Sequence, residues 1–242
     1  MFYRGKETRI KIGGTKVINA LRGKNKEIFV LTNNSTDSVE TIHRRLSQFE
    51  IPVEREEILT SSLLTAEYLQ LKVGKIKYFL VGEKGLEEEL EKFGHERVWD
   101  AKAEFVVVGL DRKVTYEKID TASRLVRNGA GLIATHNARL YMYRNGPAIA
   151  TGPFVKAVEY GGGRKAVVIG KPSPLMFRAA LRRGGVRKDQ AVMIGDQVDT
   201  DILGASKAGI DSILVKTGVD KDSGGVPTLA DLANVDEIVG LL

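Results

Sequence analysis

Short runs of apolar, mostly β-branched residues alternate along this chain with longer stretches of helical periodicity. In several runs the apolar residues follow one another directly instead of alternating with polar ones. This pattern is typical of a parallel strand buried on both faces. It predicts strands at residues 28–32, 76–81, 105–109, 132–135, 166–170, 191–195 and 212–216.

Helices are predicted between these strands, and several have recognisable ends. Ser173, for example, is a suitable N-cap, and Pro174 after it fits the first turn of a helix. The alternation of strand and helix predicts an α/β fold with a doubly wound parallel sheet. The clearest helices are predicted at residues 37–49, 62–71, 115–127 and 174–183.

Composition and charge exclude several classes of protein. The 242 residues include no cysteine, so disulfides and thiolate metal sites are excluded. The apolar runs are too short to span a bilayer and no leader opens the chain, so we expect no membrane partner and a cytoplasmic location. The net charge of +6 comes from basic residues dispersed among acidic ones, so we expect no nucleic-acid partner.

The candidate chemistry lies in polar segments after the predicted strands, at the sheet edge where α/β proteins bind ligands. Thr32 and Asn33 end one strand, and a hydroxyl with nearby backbone N–H groups can donate to a phosphate oxygen. The same residues also suit an ordinary turn and helix cap. Lys171 follows another strand and can neutralise phosphate or hold a carboxylate ionised. The alternative is a solvated lysine.

Three carboxylates follow the strand at 191–195. Asp196 ends that strand, and Asp199 and Asp201 come within the next turn of chain. Asp196 and Asp201 can face the same point, and hard oxygen ligands of this kind suit Mg²⁺. Acidic residues also stabilise helix N-termini, but a cap seldom needs three of them. The spacing therefore favours a magnesium site.

Together these segments resemble the haloacid dehalogenase superfamily of phosphotransferases, and in detail its NagD-like p-nitrophenylphosphatase subgroup. The resemblance implies a Rossmann-like core at residues 1–61 and 164–242, with its first strand missing, and an inserted α/β cap at 62–163. Near the end of this cap, Gly161-Gly162-Gly163 has the composition of a hinge or linker. The matching strings are LTNNST at 31–36, EEILTSS at 56–62, GKPSP at 170–174 and GDQVDTDILGA at 195–205.

The resemblance also implies a reaction, the Mg²⁺-dependent hydrolysis of a phosphorylated small molecule. Thr32 and Asn33 would bind the transferring phosphoryl group, and Lys171 would stabilise its charge. Asp196 would ligate Mg²⁺. Asp201 would support the metal through water or position Lys171.

The family's first motif, Asp-x-Asp-Gly, is not found in this sequence. In the family its first Asp is the nucleophile that becomes an aspartyl-phosphate, and its second is the general acid and base. It should come directly before a segment like Phe2-Tyr3-Arg4-Gly5, where Met1 stands here. We therefore expect the gene product to be longer, with a start assigned downstream of the true one. The chain as written is expected to be inactive.

Two functional hypotheses remain. In the first, the complete protein is a phosphatase. In the second, the protein is a catalytically inactive scaffold that binds a phosphorylated small molecule. A generic nucleotide-binding domain is disfavoured, because no Gly-x-Gly-x-x-Gly or Walker loop follows a strand.

The cap segment at residues 135–141 is expected to select the substrate. Arg139 would favour a second negative charge on the substrate, or else is a solvated surface residue. His136 is either part of this selection or a packed loop residue. Caps of this type often mediate dimers in similar proteins, so a homodimer is a further expectation.

Overall fold

The structure is a computed structural model that describes residues 14–143, 146–217, 220–222 and 224–232. The predicted Tyr3-Arg4-Gly5 segment lies outside these residues. The described chain forms two compact units. The first unit contains residues 14–30 and 43–58 and those from 171 onward. The second unit contains Leu31–Ile42 and Leu59–Gly170.

Helices and strands alternate as the sequence predicts. The helices are α1 (Gly14–Gly23), α2 (Val39–Gln48), α3 (Ser61–Val73), α4 (Lys84–Lys92), α5 (Tyr116–Arg127), α6 (Thr151–Gly162), α7 (Pro174–Gly184) and α8 (Leu203–Ala208). The strands are β1 (Val30–Thr32), β2 (Ile58–Thr60), β3 (Lys77–Val81), β4 (Glu96–Arg97), β5 (Phe105–Val108), β6 (Gly131–Ala134), β7 (Leu140–Tyr143), β8 (Gly146–Ile149), β9 (Val167–Val168), β10 (Val192–Gly195), β11 (Asp211–Val215) and β12 (Thr228–Leu229). Short 3₁₀ turns at Arg55–Glu57 and Lys188–Gln190 and a π-helical turn at Val198–Ile202 complete the order.

A five-stranded parallel sheet organises the second unit, in the order β4-β3-β5-β6-β9. Its central strands β3, β5 and β6 pair so that Val81 lies opposite Val108, and Val108 opposite Ala134. Val126 of α5 and Val158 of α6 belong to the same buried cluster as these strands. After its first residue, each central strand is fully buried. The prediction of strands buried on both faces is confirmed here.

Gly161, Gly162 and Gly163 do not form a linker. The first two are the last turn of α6, and Gly163 ends the helix with a φ of 70°. A Cβ on Gly162 would lie 2.6 Å from Cγ1 of Val126, and one on Gly161 would lie 2.8 Å from Oγ of Ser123. The prediction of a hinge is therefore wrong, because these glycines let α6 approach α5 closely and then stop the helix.

Three parallel strands, in the order β10-β11-β12, form the sheet of the first unit. Val17 and Leu21 of α1 form a buried cluster with Ile213 and Leu229 of this sheet. β11 is buried after its first residue, but all four residues of β10 are partly exposed. Within the described residues β10 pairs only with β11. The prediction that the strand at 191–195 is fully buried is wrong, because an edge strand lacks neighbours that would cover it.

The remaining strands form two small sheets. β1 pairs with β2, and both strands begin in the first unit and continue into the second. β7 and β8 form an antiparallel hairpin. The predicted division at residues 61/62 and 163/164 stays a prediction. In the described parts of the chain, no helix has both the length and the apolarity to cross a bilayer.

Candidate active site

Lys171 and Asp201 form a buried ion pair in the first unit. Nζ of Lys171 lies 2.6 Å from Oδ1 of Asp201, and only 10% and 5% of the two side chains are exposed. Lys171 comes shortly before α7, whose N-cap is Ser173. A charge taken out of water needs a close counterion, because its desolvation is costly. Asp201 therefore provides the counterion of the Lys171 ammonium and fixes its position.

Asp201 also binds the loop that follows β10. Its Oδ2 atom accepts the N–H of Asp196 at 3.1 Å and the N–H of Gln197 at 3.2 Å. Gly195 permits this approach, since a Cβ there would lie 2.3 Å from Cβ of Asp201. The sequence led us to expect that Asp201 supports the metal through water or positions Lys171. The structure shows the contact with Lys171.

Asp196 is the accessible member of the carboxylate pair that the sequence singled out. It follows β10 and is partly exposed, whereas only 3% of Asp201 is exposed. Mg²⁺ usually binds one or two carboxylates and keeps several waters, so Asp196 is a suitable ligand. No group of three or more potential ligand side chains is found in the described ranges. The donor set fits a largely hydrated Mg²⁺ and not a metal enclosed by protein. Asp199 is exposed.

Asp220 contacts the same loop and was missed by the sequence reasoning. Its Oδ2 atom accepts the N–H of Val198 at 2.7 Å, and its own N–H donates to the carbonyl of Asp196 at 3.2 Å. Asp220 comes a few residues after β11, which pairs in parallel with β10. Its position after β11 was the sequence signal that could have pointed to Asp220, because polar residues after neighbouring parallel strands lie at the same sheet edge.

In the second unit, Thr32 and Asn33 open a compact polar turn after β1. Oγ1 of Thr32 accepts the N–H of Asn34 at 3.1 Å. Oδ1 of Asn34 in turn accepts the N–H groups of Thr36 at 2.8 Å and Asp37 at 3.0 Å. The turn thus has the internal hydrogen bonds of an Asx turn. Because Thr32 uses its oxygen as an acceptor, its hydroxyl proton can still be donated to a ligand.

Asn33 turns its side-chain oxygen inward. A Cβ on Gly170 would lie 2.5 Å from Oδ1 of Asn33 and 2.6 Å from the carbonyl oxygen of Thr135. The main-chain carbonyl of Asn33 accepts a hydrogen bond from Oγ of Ser61 at 2.9 Å. Phosphoryl oxygens need donors, so only the N–H groups of Asn33 suit them. The inward oxygen instead packs the turn against the residue that precedes Lys171.

His136 is packed inside the segment at 135–141. It is 6% exposed, its Nδ1 accepts the N–H of Ala138 at 3.2 Å, and its Nε2 lies 2.8 Å from Oγ1 of Thr151. With Nδ1 as acceptor, the neutral ring carries its proton on Nε2 and donates to Thr151. This is the geometry of a packed loop residue. The side chain of Arg139 is exposed, and its role in substrate selection stays a prediction.

Glu83 and Arg112 form a paired contact after β3 and β5. Oε1 of Glu83 accepts the main-chain N–H of Arg112 at 3.0 Å and its Nε at 2.7 Å, and Oε2 accepts a terminal guanidinium nitrogen. Burial alone would raise the pKa of Glu83. The hydrogen bonds and charge of Arg112 outweigh that effect and lower it below the ordinary 4.5. Glu83 is therefore ionised at neutral pH and braces two strand ends.

Known proteins share both the sequence and the fold of this chain. The model of the haloacid dehalogenase-like hydrolase family matches residues 5–96, and that of the HAD-hydrolase-like family matches residues 168–233. The acid sugar phosphatase of Staphylococcus aureus is 32% identical over 234 residues, which cover 95% of this chain and 90% of that protein. The chain belongs to the haloacid dehalogenase-like hydrolases. The α/β fold class is confirmed with it.

Two solved structures of haloacid dehalogenase-like hydrolases define the subgroup. The p-nitrophenyl phosphatase from Archaeoglobus fulgidus is 33% identical to this chain, with a TM-score of 0.89. The match covers 97% of this chain and 95% of the Archaeoglobus protein. The 4-nitrophenylphosphatase from Thermotoga maritima is 31% identical to this chain, with a TM-score of 0.87. The match covers 97% of this chain and 92% of the Thermotoga protein. The resemblance to NagD-like p-nitrophenylphosphatases is confirmed.

Proposed function

We propose that this haloacid dehalogenase-like hydrolase cleaves phosphate monoesters of small molecules in a Mg²⁺-dependent reaction. The observation that carries the proposal is the buried pair of Lys171 and Asp201, 2.6 Å apart. The same Asp201 holds the loop of Asp196. A buried ammonium and an accessible carboxylate, fixed by one side chain, suit an anionic substrate and a divalent cation. The phosphatase relatives support the same reaction.

Thr32 and Lys171 are the residues proposed to act on the phosphoryl group. The hydroxyl of Thr32 donates to a phosphoryl oxygen, and N–H groups of the turn, including that of Asn33, add further donors. Lys171 offsets the negative charge on the oxygens of the transferring group. An ammonium has three donors, so Lys171 can bind Asp201 and phosphoryl oxygens together.

Asp196 is the proposed ligand of Mg²⁺. The metal, when bound, supplies positive charge that stabilises the phosphoryl oxygens during transfer. Asp201 restrains the carboxylate of Asp196 by accepting the Asp196 and Gln197 N–H groups. These bonds hold the backbone of the proposed metal ligand in place.

The carboxylates of the proposed site are not themselves proposed as the nucleophile. Asp199 and Asp201 have the Asp-x-Asp spacing, but Asp201 is buried and bound to Lys171. That pair is therefore unsuited to attack phosphorus. The intact mass and the N-terminal peptide of the protein from its own source show whether it carries an Asp-x-Asp-Gly motif.

Hydrolysis of p-nitrophenyl phosphate by the full-length native protein tests the proposed reaction. We expect turnover that EDTA abolishes and Mg²⁺ restores. Lys171→Met should lower kcat by about 10²–10³-fold, since it removes charge stabilisation of the transition state. Asp189→Asn, at an exposed side chain that pairs with Arg187, is the control and should retain activity. Turnover that persists in EDTA would refute the role of the metal.

The alternative function is a catalytically inactive scaffold for a phosphorylated small molecule. Calorimetry with sugar phosphates distinguishes the two, because binding without turnover by the native protein favours the scaffold. Sugar phosphates come first because one relative is named an acid sugar phosphatase. The homodimer, the cytoplasmic location and the lack of nucleic-acid and membrane partners stay predictions. Light scattering in solution tests the homodimer.

A further inference from the structure

Three successive backbone N–H groups after β10 are all bound by carboxylates of the protein. Asp196 and Gln197 donate to Oδ2 of Asp201, and Val198 donates to Oδ2 of Asp220 at 2.7 Å. Consecutive N–H groups in a turn usually form a concave site that attracts anions. Here two carboxylates already fill it. The loop is therefore closed to phosphate, and the charge that it presents is negative.

Asp220 holds this loop in two directions. Its carboxylate accepts the N–H of Val198, and its own N–H donates to the carbonyl oxygen of Asp196 at 3.2 Å. The N–H of Asp196 is fixed separately by Asp201. Both peptide groups that flank the Cα of Asp196 are therefore anchored. The direction of a side chain follows from its backbone and a few staggered rotamers, so these anchors limit where the Asp196 carboxylate can point.

The anchor comes from a distant part of the sequence. Asp220 is 22 positions after Val198 and follows β11, whereas the loop follows β10. The parallel pairing of β10 with β11 brings the two segments together. The charge of Asp220 also adds to the negative potential around Asp196, which favours a cation at this point.

We propose that Asp220 is a positioning residue for Asp196, the proposed Mg²⁺ ligand. The inference rests on the proposed function of Asp196 and extends it to a residue that does not touch the metal. Loss of the Asp220 side chain releases the N–H of Val198, so the loop that carries Asp196 loses one anchor, while its bonds to Asp201 and to the main-chain N–H of Asp220 remain. The affinity for Mg²⁺ then falls although every ligand is still present, as for residues that orient metal ligands elsewhere.

Amide hydrogen exchange of the metal-free full-length protein tests the anchor itself. In Asp220→Ala, exchange at Val198 should be about tenfold faster, because its N–H loses the carboxylate that accepts it, whereas exchange at Asp196 and Gln197 should rise less, because their bonds to Asp201 remain. Asp220→Asn should restore slow exchange, since its carboxamide oxygen can still accept. Asp222→Ala is the matched control, because Asp222 is exposed and accepts the local N–H of Gly224. Unchanged exchange at Val198, or faster exchange throughout β10 and β11, overturns the proposal.

Calorimetric titration with Mg²⁺ alone then tests the consequence. Asp220→Ala should raise the Kd for Mg²⁺ by about 10- to 100-fold, and Asp222→Ala should leave it unchanged. At saturating Mg²⁺ the KM for p-nitrophenyl phosphate should match that of the wild type. If the wild type and Asp220→Ala bind Mg²⁺ equally well, the positioning role of Asp220 is refuted, whereas the proposed role of Asp196 as a Mg²⁺ ligand is not. If the wild type binds no Mg²⁺, the proposed function of Asp196 fails and takes the inference with it.

Discussion

Nζ of Lys171 lies 2.6 Å from Oδ1 of Asp201, and both side chains are almost fully buried. The other oxygen of Asp201 accepts the N–H groups of Asp196 and Gln197. One carboxylate thus fixes the lysine proposed to bind phosphate and the loop proposed to bind metal. A change at Asp201 should therefore disturb both functions together, whereas a change at Asp196 should affect the metal alone.

Asp201→Ala should destabilise the protein by about 3–5 kcal/mol, because it leaves the buried ammonium of Lys171 without its counterion. Urea denaturation measures the loss. Asp199→Ala removes an exposed carboxylate from the same turn, and its effect should stay within about 0.5 kcal/mol. Equal, small losses in the two variants would show that Lys171 does not depend on Asp201.

Gly195→Ala should destabilise the protein by about 1–3 kcal/mol, because the new Cβ would lie 2.3 Å from Cβ of Asp201. Asp201 must move away, so the affinity for Mg²⁺ should fall as well. Gly23→Ala is the control, since a Cβ there meets nothing within 4 Å. The control should be neutral or slightly stabilising. Denaturation and Mg²⁺ titration of both variants check the prediction.

Gly152→Ala should change substrate preference. A Cβ at Gly152 would lie 2.5 Å from the carbonyl oxygen of Asn137 and 2.7 Å from that of Ala138, so this backbone must shift. Asn137 and Ala138 belong to residues 135–141, the segment predicted to select the substrate. Gly162→Ala is equally crowded, by Val126, but lies between α5 and α6. The ratio of kcat/KM for two phosphate esters should change in Gly152→Ala only, and a parallel change in both variants would contradict the assignment.

The carboxylate of Glu159 should make stability depend on pH. Burial raises its pKa, but hydrogen bonds from Lys156, the N–H of Ala166 and Lys165 outweigh this and lower it below 4.5. Because the folded pKa is below the unfolded value, the stabilisation is complete above about pH 4.5 and is lost as the pH falls through the folded pKa. The difference in unfolding free energy between wild type and Glu159→Gln should therefore be largest at neutral pH and shrink in acid. A difference in unfolding free energy that grows in acid would show that folding raises the pKa of Glu159 instead of lowering it.

Part of the fold was missed because its sequence signal is weak. α6 was not predicted, since Gly152, Pro153 and the two glycines at its end disfavour a helix when judged by propensity. α1 and α4, of ten and nine residues, were not predicted either. In all three, packing against the rest of the unit decides the conformation, and local propensity records little of it.

The sequence by itself determined the α/β alternation and the family, and it supplied Lys171, Asp196 and Asp201 as candidate site residues, because each depends on a strand end and the few residues after it. Only the tertiary structure decided that Asp201 binds Lys171, which lies 30 positions earlier, and that Asp220 anchors the Asp196 loop. It also decided that β10 is a partly exposed edge strand in the described sheet. The physical reason is that the spacing of hydrophobic residues indicates which face of a helix or strand is buried. Strand order and register determine which distant residue covers it.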